Sequence, residues 1–195
     1  EALKIMNYKV DLLHLDQLTS TQKLQQYDAI LLGIRAFNVL PELKFKNYWL
    51  FDYVKNGGNL IVQYNTSRGL VTEKLAPYPL QLSRDRVTDE NAKVTFIDKN
   101  HPVLNTPNVL EKSDFDNWVQ ERGLYFPNTW SDRFMPILSM GDPNESQTQG
   151  ALLVAPYGKG YYIYTGLSLF RELPAGVPGA YRLLANLIAL ENEEN

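Results

Sequence analysis

The sequence predicts an α/β fold built on a parallel sheet. Tyr27–Ile34 (YDAILLGI) and Leu60–Tyr64 (LIVQY) are nearly unbroken apolar runs, the pattern of strands buried on both faces. Between them, Phe45–Lys55 sets apolar or aromatic residues at 45, 48, 49, 51, 53 and 54, which is the stripe of an amphipathic helix. Asn56-Gly57-Gly58-Asn59 stops that helix, with glycine supplying a left-handed C-cap. Strand, helix, Gly-Gly and strand at this spacing form a βαβ unit.

The remaining elements follow in chain order. Glu1–Met6 has the spacing of a helix end, Asn7-Tyr8 a turn, and Val10–Leu15 the alternation of a strand. A domain rarely starts in mid-helix, so the chain is expected to be part of a longer one. A strand upstream of Glu1 is expected to belong to the same sheet. Gln17–Gln26 reads as a polar, helix-compatible connection. Residues 76–92 combine prolines 77 and 79 with the charged run Ser83–Glu90, and read as irregular. Lys93–Ile97 reads as a short strand, Asn100–Leu104 as a turn, and Phe115–Phe126 as strand or irregular structure. Met135–Met140 and Ala151–Ala155 read as paired strands joined by the loop Gly141–Gly150. Gly158-Lys159-Gly160 turns into the β-rich Tyr161–Thr165, Ala180–Leu190 closes as a helix, and Glu191–Asn195 is a solvated tail. The whole, 1–195, is one domain in which 76–150 is a β-rich insertion.

Composition removes several functions. The chain has 195 residues, and its 19 Lys plus Arg against 22 Asp plus Glu leave a net charge of −3. That balance gives no electrostatic reason to expect nucleic acid or an anionic membrane as partner. No apolar run is long enough to span a bilayer. With no cysteine there is no disulfide, thiolate metal site or thiol nucleophile, and two histidines exclude a three-His site. No cofactor and no metal are expected, and the compartment stays open.

Open parallel sheets bind ligands beyond the carboxyl ends of their strands. Three predicted strands end in loops of similar chemistry: Arg35-Ala36-Phe37-Asn38, Asn65-Thr66-Ser67-Arg68-Gly69, and the stretch from Gly166 to Arg171-Glu172. Arg35, Arg68 and Arg171 converging there would hold an anion or a polyhydroxylated ligand. Alternatively, each arginine pairs with a carboxylate such as Glu172 or Asp85, or caps a helix. No G-x-S-x-G elbow occurs, and Asp85, Asp89 and Glu90 lack the calcium-loop spacing. His14 reads as a half-buried strand residue and His101, before Pro102, as a structural turn residue. The 12 tyrosines and 3 tryptophans can stack on sugars, although most belong to core or sheet.

The Gly57-Gly58 unit, His101-Pro102-Val103, the run from Tyr157-Gly158-Lys159-Gly160 to Tyr164-Thr165-Gly166, and Arg182–Ile188 resemble the ThuA-like branch of the class I glutamine amidotransferase-like fold. The longer stretches YDAILLGIRAFN, FDYVKNGGNLIVQYNTSRGL, LAPYPLQLSRDRVTDE, WVQERGLYFPNTW and GLSLFRELPAGVPGAYRLLANLI resemble the C-terminal domain of PIG-L/LmbE-type deacetylases of Bacteroidetes.

This resemblance implies a flavodoxin-like three-layer α/β/α sandwich whose first strand lies upstream of Glu1. It also implies a zinc-dependent deacetylase domain upstream, which would be the partner and would act on N-acetyl sugars. That domain's zinc signature is absent here. The resemblance further puts Asn65 where amidotransferases carry their cysteine, and an amide cannot act as that nucleophile. The expected role is therefore non-catalytic, either binding carbohydrate or docking on the deacetylase domain. The ligand residues would be Arg35, Asn38, Asn65, Thr66, Arg68, Arg171 and Glu172, with Arg84 or Arg86 reaching in from the insertion. The alternative is a hydrolase or sugar-metabolism enzyme of ThuA-like type using an unrecognised site. An export signal upstream, and so a periplasmic or exported location, is likewise only implied by the resemblance.

Overall fold

The computed structural model describes residues 1–191, so all of the expected solvated tail beyond Glu191 lies outside the described residues. Its centre is a mixed sheet of β1 (Ala29–Leu32), β2 (Asn59–Gln63), β6 (Met135–Pro136), β8 (Leu152–Tyr157) and β9 (Gly160–Thr165), in the order β1-β2-β9-β8-β6. The pairs β1–β2 and β2–β9 are parallel, while β9–β8 and β8–β6 are antiparallel. α2 (Thr21–Leu24) precedes β1 and α3 (Ala36–Val39) follows it, and the expected βαβ unit is present, with α4 (Leu43–Lys55) between β1 and β2.

Alternation along the strands places apolar side chains on both faces. Leu60, Val62, Leu153, Ala155, Tyr162 and Tyr164 belong to one core with Leu50, Phe51, Tyr53 and Val54 of α4. Ile61, Leu152, Val154 and Ile163 belong to the other, with Ala180, Leu183 and Leu187 of α6 (Pro178–Ile188). A period of two with both phases apolar leaves no face for water, which is why these strands read as unbroken apolar runs. Gly57, at φ 117°, makes the left-handed turn after α4. Gly58 admits no side chain, because a Cβ there would lie 2.0 Å from the Tyr53 ring.

The insertion is not a separate body. β3 (Leu80–Val87) and β5 (Gly123–Trp130) form an antiparallel pair, and β4 (Thr95–Phe96) pairs with β7 (Leu138–Ser139). Val87, Val94, Val103, Phe115, Trp118, Phe126 and Ile137 share one core with Ile61 and Ile163 of the main sheet. Asn186, buried in α6, locks the insertion in place. Its Nδ2 donates to the Val103 and Asn108 carbonyls at 2.8 Å each, and its Oδ1 accepts from the Asn108 amide at 2.9 Å.

Two expectations fail. Val10–Leu15 forms no strand: α1 (Ala2–Ile5) is followed by chain without regular pairing, and His14 is exposed at the start of a 3-10 turn at Leu15–Gln17. Alternation identifies a face to bury, but a strand also needs a backbone neighbour, and none is in place there. Conversely, β3 runs through the charged stretch that reads as irregular. Leu80, Leu82 and Val87 are buried, but register shifts between them break the alternation that would have revealed the strand. His101 is a buried turn residue as expected, its Nδ1 accepting from the Val103 amide at 3.2 Å. Burial holds its imidazole below the usual histidine range, partly countered by Asp98.

Candidate functional site

The carboxyl ends of β1, β2 and β9 meet the bulged strand β5, and a cluster of aromatic and charged side chains gathers there. Tyr64, just after β2, stacks on Phe170 with centroids 5.5 Å apart and lies 5.8 Å from the Tyr125 ring. All three rings are partly open to solvent. Phe170 comes from α5 (Leu169–Glu172), directly after β9, and the Arg171 guanidinium sits 5.0 Å from its ring centroid. Tyr125 adopts φ 52°, a left-handed conformation rare for an aromatic residue, within the irregular register of β5. Arg35 (φ 58°) and Gln120 (φ 70°) share that unusual backbone region. Such conformations cost about 1–3 kcal/mol each and concentrate at binding sites.

Beneath the rings lies a buried polar layer. Glu121 Oε1 accepts from the Ser168 hydroxyl at 3.0 Å and from Arg171 Nε at 2.6 Å. Glu172 is fully buried; its Oε2 accepts from the Val119 amide at 2.9 Å, and its Oε1 has no hydrogen-bond partner. Burial pushes the Glu172 carboxyl up to about 7, opposed by the Val119 bond and by Arg122 and reinforced by Glu121. Tyr64 is raised by partial burial and by Tyr125, with Arg35 and Arg171 acting the other way and Glu121 adding to the rise. Arg122 is buried against Phe115 and Trp118, donates to the Ala92 and Phe115 carbonyls, and is lowered chiefly by burial.

The residues expected at the pocket divide by role. The Arg35 amide donates to the Tyr64 carbonyl at 2.6 Å and the Arg171 guanidinium lies 5.0 Å from the ring of Phe170, so both arginines flank the stacked Tyr64–Phe170 pair. Arg171 pairs with Glu121, and Glu172 sits below the surface. Asn65 is wholly buried, its Oδ1 accepting from the Phe37 amide at 2.9 Å and its Nδ2 donating to the Gln63 carbonyl at 2.8 Å. Asn38 Oδ1 accepts from the Thr66 amide, and its Nδ2 donates to the Thr66 and Arg68 carbonyls. Asn38, Asn65 and Thr66 thus brace the turn after β2, and the exposed Arg68 joins the network through its carbonyl.

Arg84 and Arg86 line a different groove of about 500 Å³ with Trp130, Asn128 and Gln147. Within it, Arg86 is paired with Glu145 at 2.9 Å and lies 3.6 Å from Asp142. Sequence reasoning missed Tyr64, Tyr125, Phe170, Glu121 and Ser168. An aromatic residue directly after a buried strand is a usable signal for Tyr64, but Phe170, five residues beyond the end of β9, and a left-handed tyrosine inside a strand have none. Among the described residues no group of three or more His, Cys, Asp or Glu side chains is placed to hold a metal ion.

No family model and no curated protein matches the chain. Solved structures do. Cytoplasmic protein STM3548 from Salmonella typhimurium is similar with TM-score 0.63 and 15% identity, over 96% of this chain and 82% of that one. Cytoplasmic protein STM1381 from Salmonella typhimurium LT2 gives TM-score 0.59 and 14% identity, over 96% and 83%. The β-galactosidase from Rahnella sp. R3 gives TM-score 0.54 and 14% identity, over 95% of this chain and only 25% of that much longer one. At these identities the likeness is one of fold, a mixed α/β architecture.

Proposed function

We propose that this chain is a non-catalytic module that binds carbohydrate on the platform of Tyr64, Phe170 and Tyr125. One observation carries the reading: three partly open rings stand together at the strand ends, with the Arg171 guanidinium 5.0 Å from the Phe170 ring and the Arg35 amide bonded to the Tyr64 carbonyl. Ring faces pack against the apolar faces of sugars, and guanidinium groups donate in pairs to hydroxyls or carboxylates. In the same reading the sheet is the core of a flavodoxin-like sandwich of the class I glutamine amidotransferase-like kind. Asn65 stands in place of that family's cysteine, and the module serves a PIG-L/LmbE-type deacetylase acting on N-acetyl sugars.

The test is a thermal-shift and titration screen with chitooligosaccharides and acidic sugars. A ligand at about 100 times its Kd stabilises by about 2.7 kcal/mol, which for a domain of this size is a shift of roughly 5–11 °C. Tyr64→Ala and Phe170→Ala should each weaken binding about tenfold or more, or about 1.4 kcal/mol. A flat screen, or binding that both variants retain, removes the proposal. A hydrolytic reading is favoured by Glu172, a buried carboxyl raised to about 7 beside a second carboxylate. Release of product from the same sugars, lost in Glu172→Gln, would establish it instead.

A further inference from the structure

The groove that holds Arg84 and Arg86 is made by irregularity in the β3–β5 ribbon. In the register of that pair, Gln81 faces Thr129 but Leu82 faces Pro127, so Asn128 is an extra residue on β5. Asp85 then faces Phe126, so Ser83 and Arg84 are extra residues on β3, and Arg86 falls within the next shift. Bulges of this kind re-aim side chains, and here Arg84, Arg86 and Asn128 all line the one groove. The Ser83 hydroxyl fixes the distortion, donating to the Phe126 carbonyl at 2.6 Å and accepting from the Asp85 amide at 2.9 Å.

The rest of the lining comes from the loop that carries residues 145–149, which is also held in place. Met140 and Thr148 exchange backbone hydrogen bonds of 3.0 and 2.8 Å across it. The Asp142 carboxylate accepts from the Thr88 amide and hydroxyl and from the Asp89 amide, at 2.8 Å each. Trp130 is half-buried: it packs against the core that α4 shares with the sheet and also lines the groove. Among the described residues, the Trp130 indole N–H, the Arg84 guanidinium and the side-chain amides of Gln147 and Gln149 have no hydrogen-bond partner, although all four residues line the groove.

These groups select a class of ligand. Arg84 and Arg86 are balanced by Asp85 and Glu145 on the same lining, and Arg86 is already paired with Glu145, so no excess charge is left to hold a phosphate or a nucleic-acid backbone. A peptide anchored by its side chains needs apolar pockets, and Pro127 and Trp130 are the apolar residues of this lining. What the groove offers is an indole ring beside a guanidinium and the three carboxamides of Asn128, Gln147 and Gln149, which together donate and accept. A ligand dense in hydroxyls, with apolar C–H faces between them, uses both. We infer that this groove is a saccharide site for a short neutral chain of sugars, with Trp130 packing on a ring face and Arg84, Asn128, Gln147 and Gln149 bonding the hydroxyls. The groove shares no residue with the platform of Tyr64, Phe170 and Tyr125, so either can bind without the other.

Titration with chitotetraose and with cellotetraose, followed by the side-chain N–H signals in proton–nitrogen correlation spectra, decides it. The Trp130 indole and the Gln147 and Gln149 amides should shift and saturate with at least one of the two sugars, both in the wild type and in Tyr64→Ala, which breaks the platform. Arg84→Ala and Gln147→Ala, both at exposed positions, should each weaken that binding about tenfold, or about 1.4 kcal/mol. A Trp130 signal that stays in place with both sugars overturns the inference. So do shifts that vanish in Tyr64→Ala but survive in Arg84→Ala, which assign the binding to the platform, and shifts produced by inorganic phosphate but by neither sugar.

Discussion

Glu172 shows how a single buried group couples the site to pH. Its carboxyl keeps a proton up to about 7 in the folded chain, whereas the unfolded chain releases it near 4.5. Between those values the folded state binds more protons, so stability falls as pH rises through this window and levels off above it. Urea denaturation at pH 5 and pH 8 should show that loss in the wild type, and Glu172→Gln should diminish it. A slope unchanged in the variant would mean that another group titrates. Gly58 is the steric counterpart: its Cβ position is occupied by the Tyr53 ring, itself anchored by a hydrogen bond of 2.9 Å to the Tyr27 carbonyl. Gly58→Ala should cost about 1–3 kcal/mol in chemical denaturation, since neither ring nor backbone has room to yield.

Among the elements, the strand-end loops matter most. The turn after β2 is rigid because the Asn65 amide ties it to the Phe37 amide and the Gln63 carbonyl. That rigidity supports Tyr64, the neighbouring residue. Asn65→Ala should cost about 1–3 kcal/mol by leaving buried backbone groups unpaired. On the opposite face, α6 holds the insertion through Asn186, and Asn186→Ala should cost about 2–3 kcal/mol for the same reason. Both losses are measurable by denaturation. A change under about 0.5 kcal/mol in either would show that water or a rearranged loop replaces the amide. The two helices that frame the sheet were legible because their apolar stripes are long. β3 was not, because its register shifts break the period of two on which strand reading depends.

At the scale of the whole molecule, insertion and sheet share a core. Ile61 and Ile163 lie in one cluster with Phe115, Trp118 and Phe126. The described chain should accordingly unfold as one unit. Tryptophan fluorescence, which includes Trp118 in the insertion, and far-ultraviolet circular dichroism, dominated by the sheet and helices, should give coincident denaturation curves. Two separated transitions would make the insertion an independent body.

The α/β class, the parallel β1–α4–β2 unit, the closing helix and the polar strand-end loops all followed from the sequence by itself. Each depends on local periodicity or on residue types whose backbone preferences act within a few positions. Tertiary structure alone decided which loop residues meet. It placed Tyr125 from the insertion against Tyr64, sank Glu172 beneath the surface, paired Arg171 with Glu121, and turned Asn38 and Asn65 inward as braces. These are contacts between residues far apart in the chain, set by how the insertion packs on the sheet, and no local pattern encodes them. The same reason explains the Val10–Leu15 segment: its alternation was visible, but whether it pairs depends on a neighbour that the residues around it do not specify.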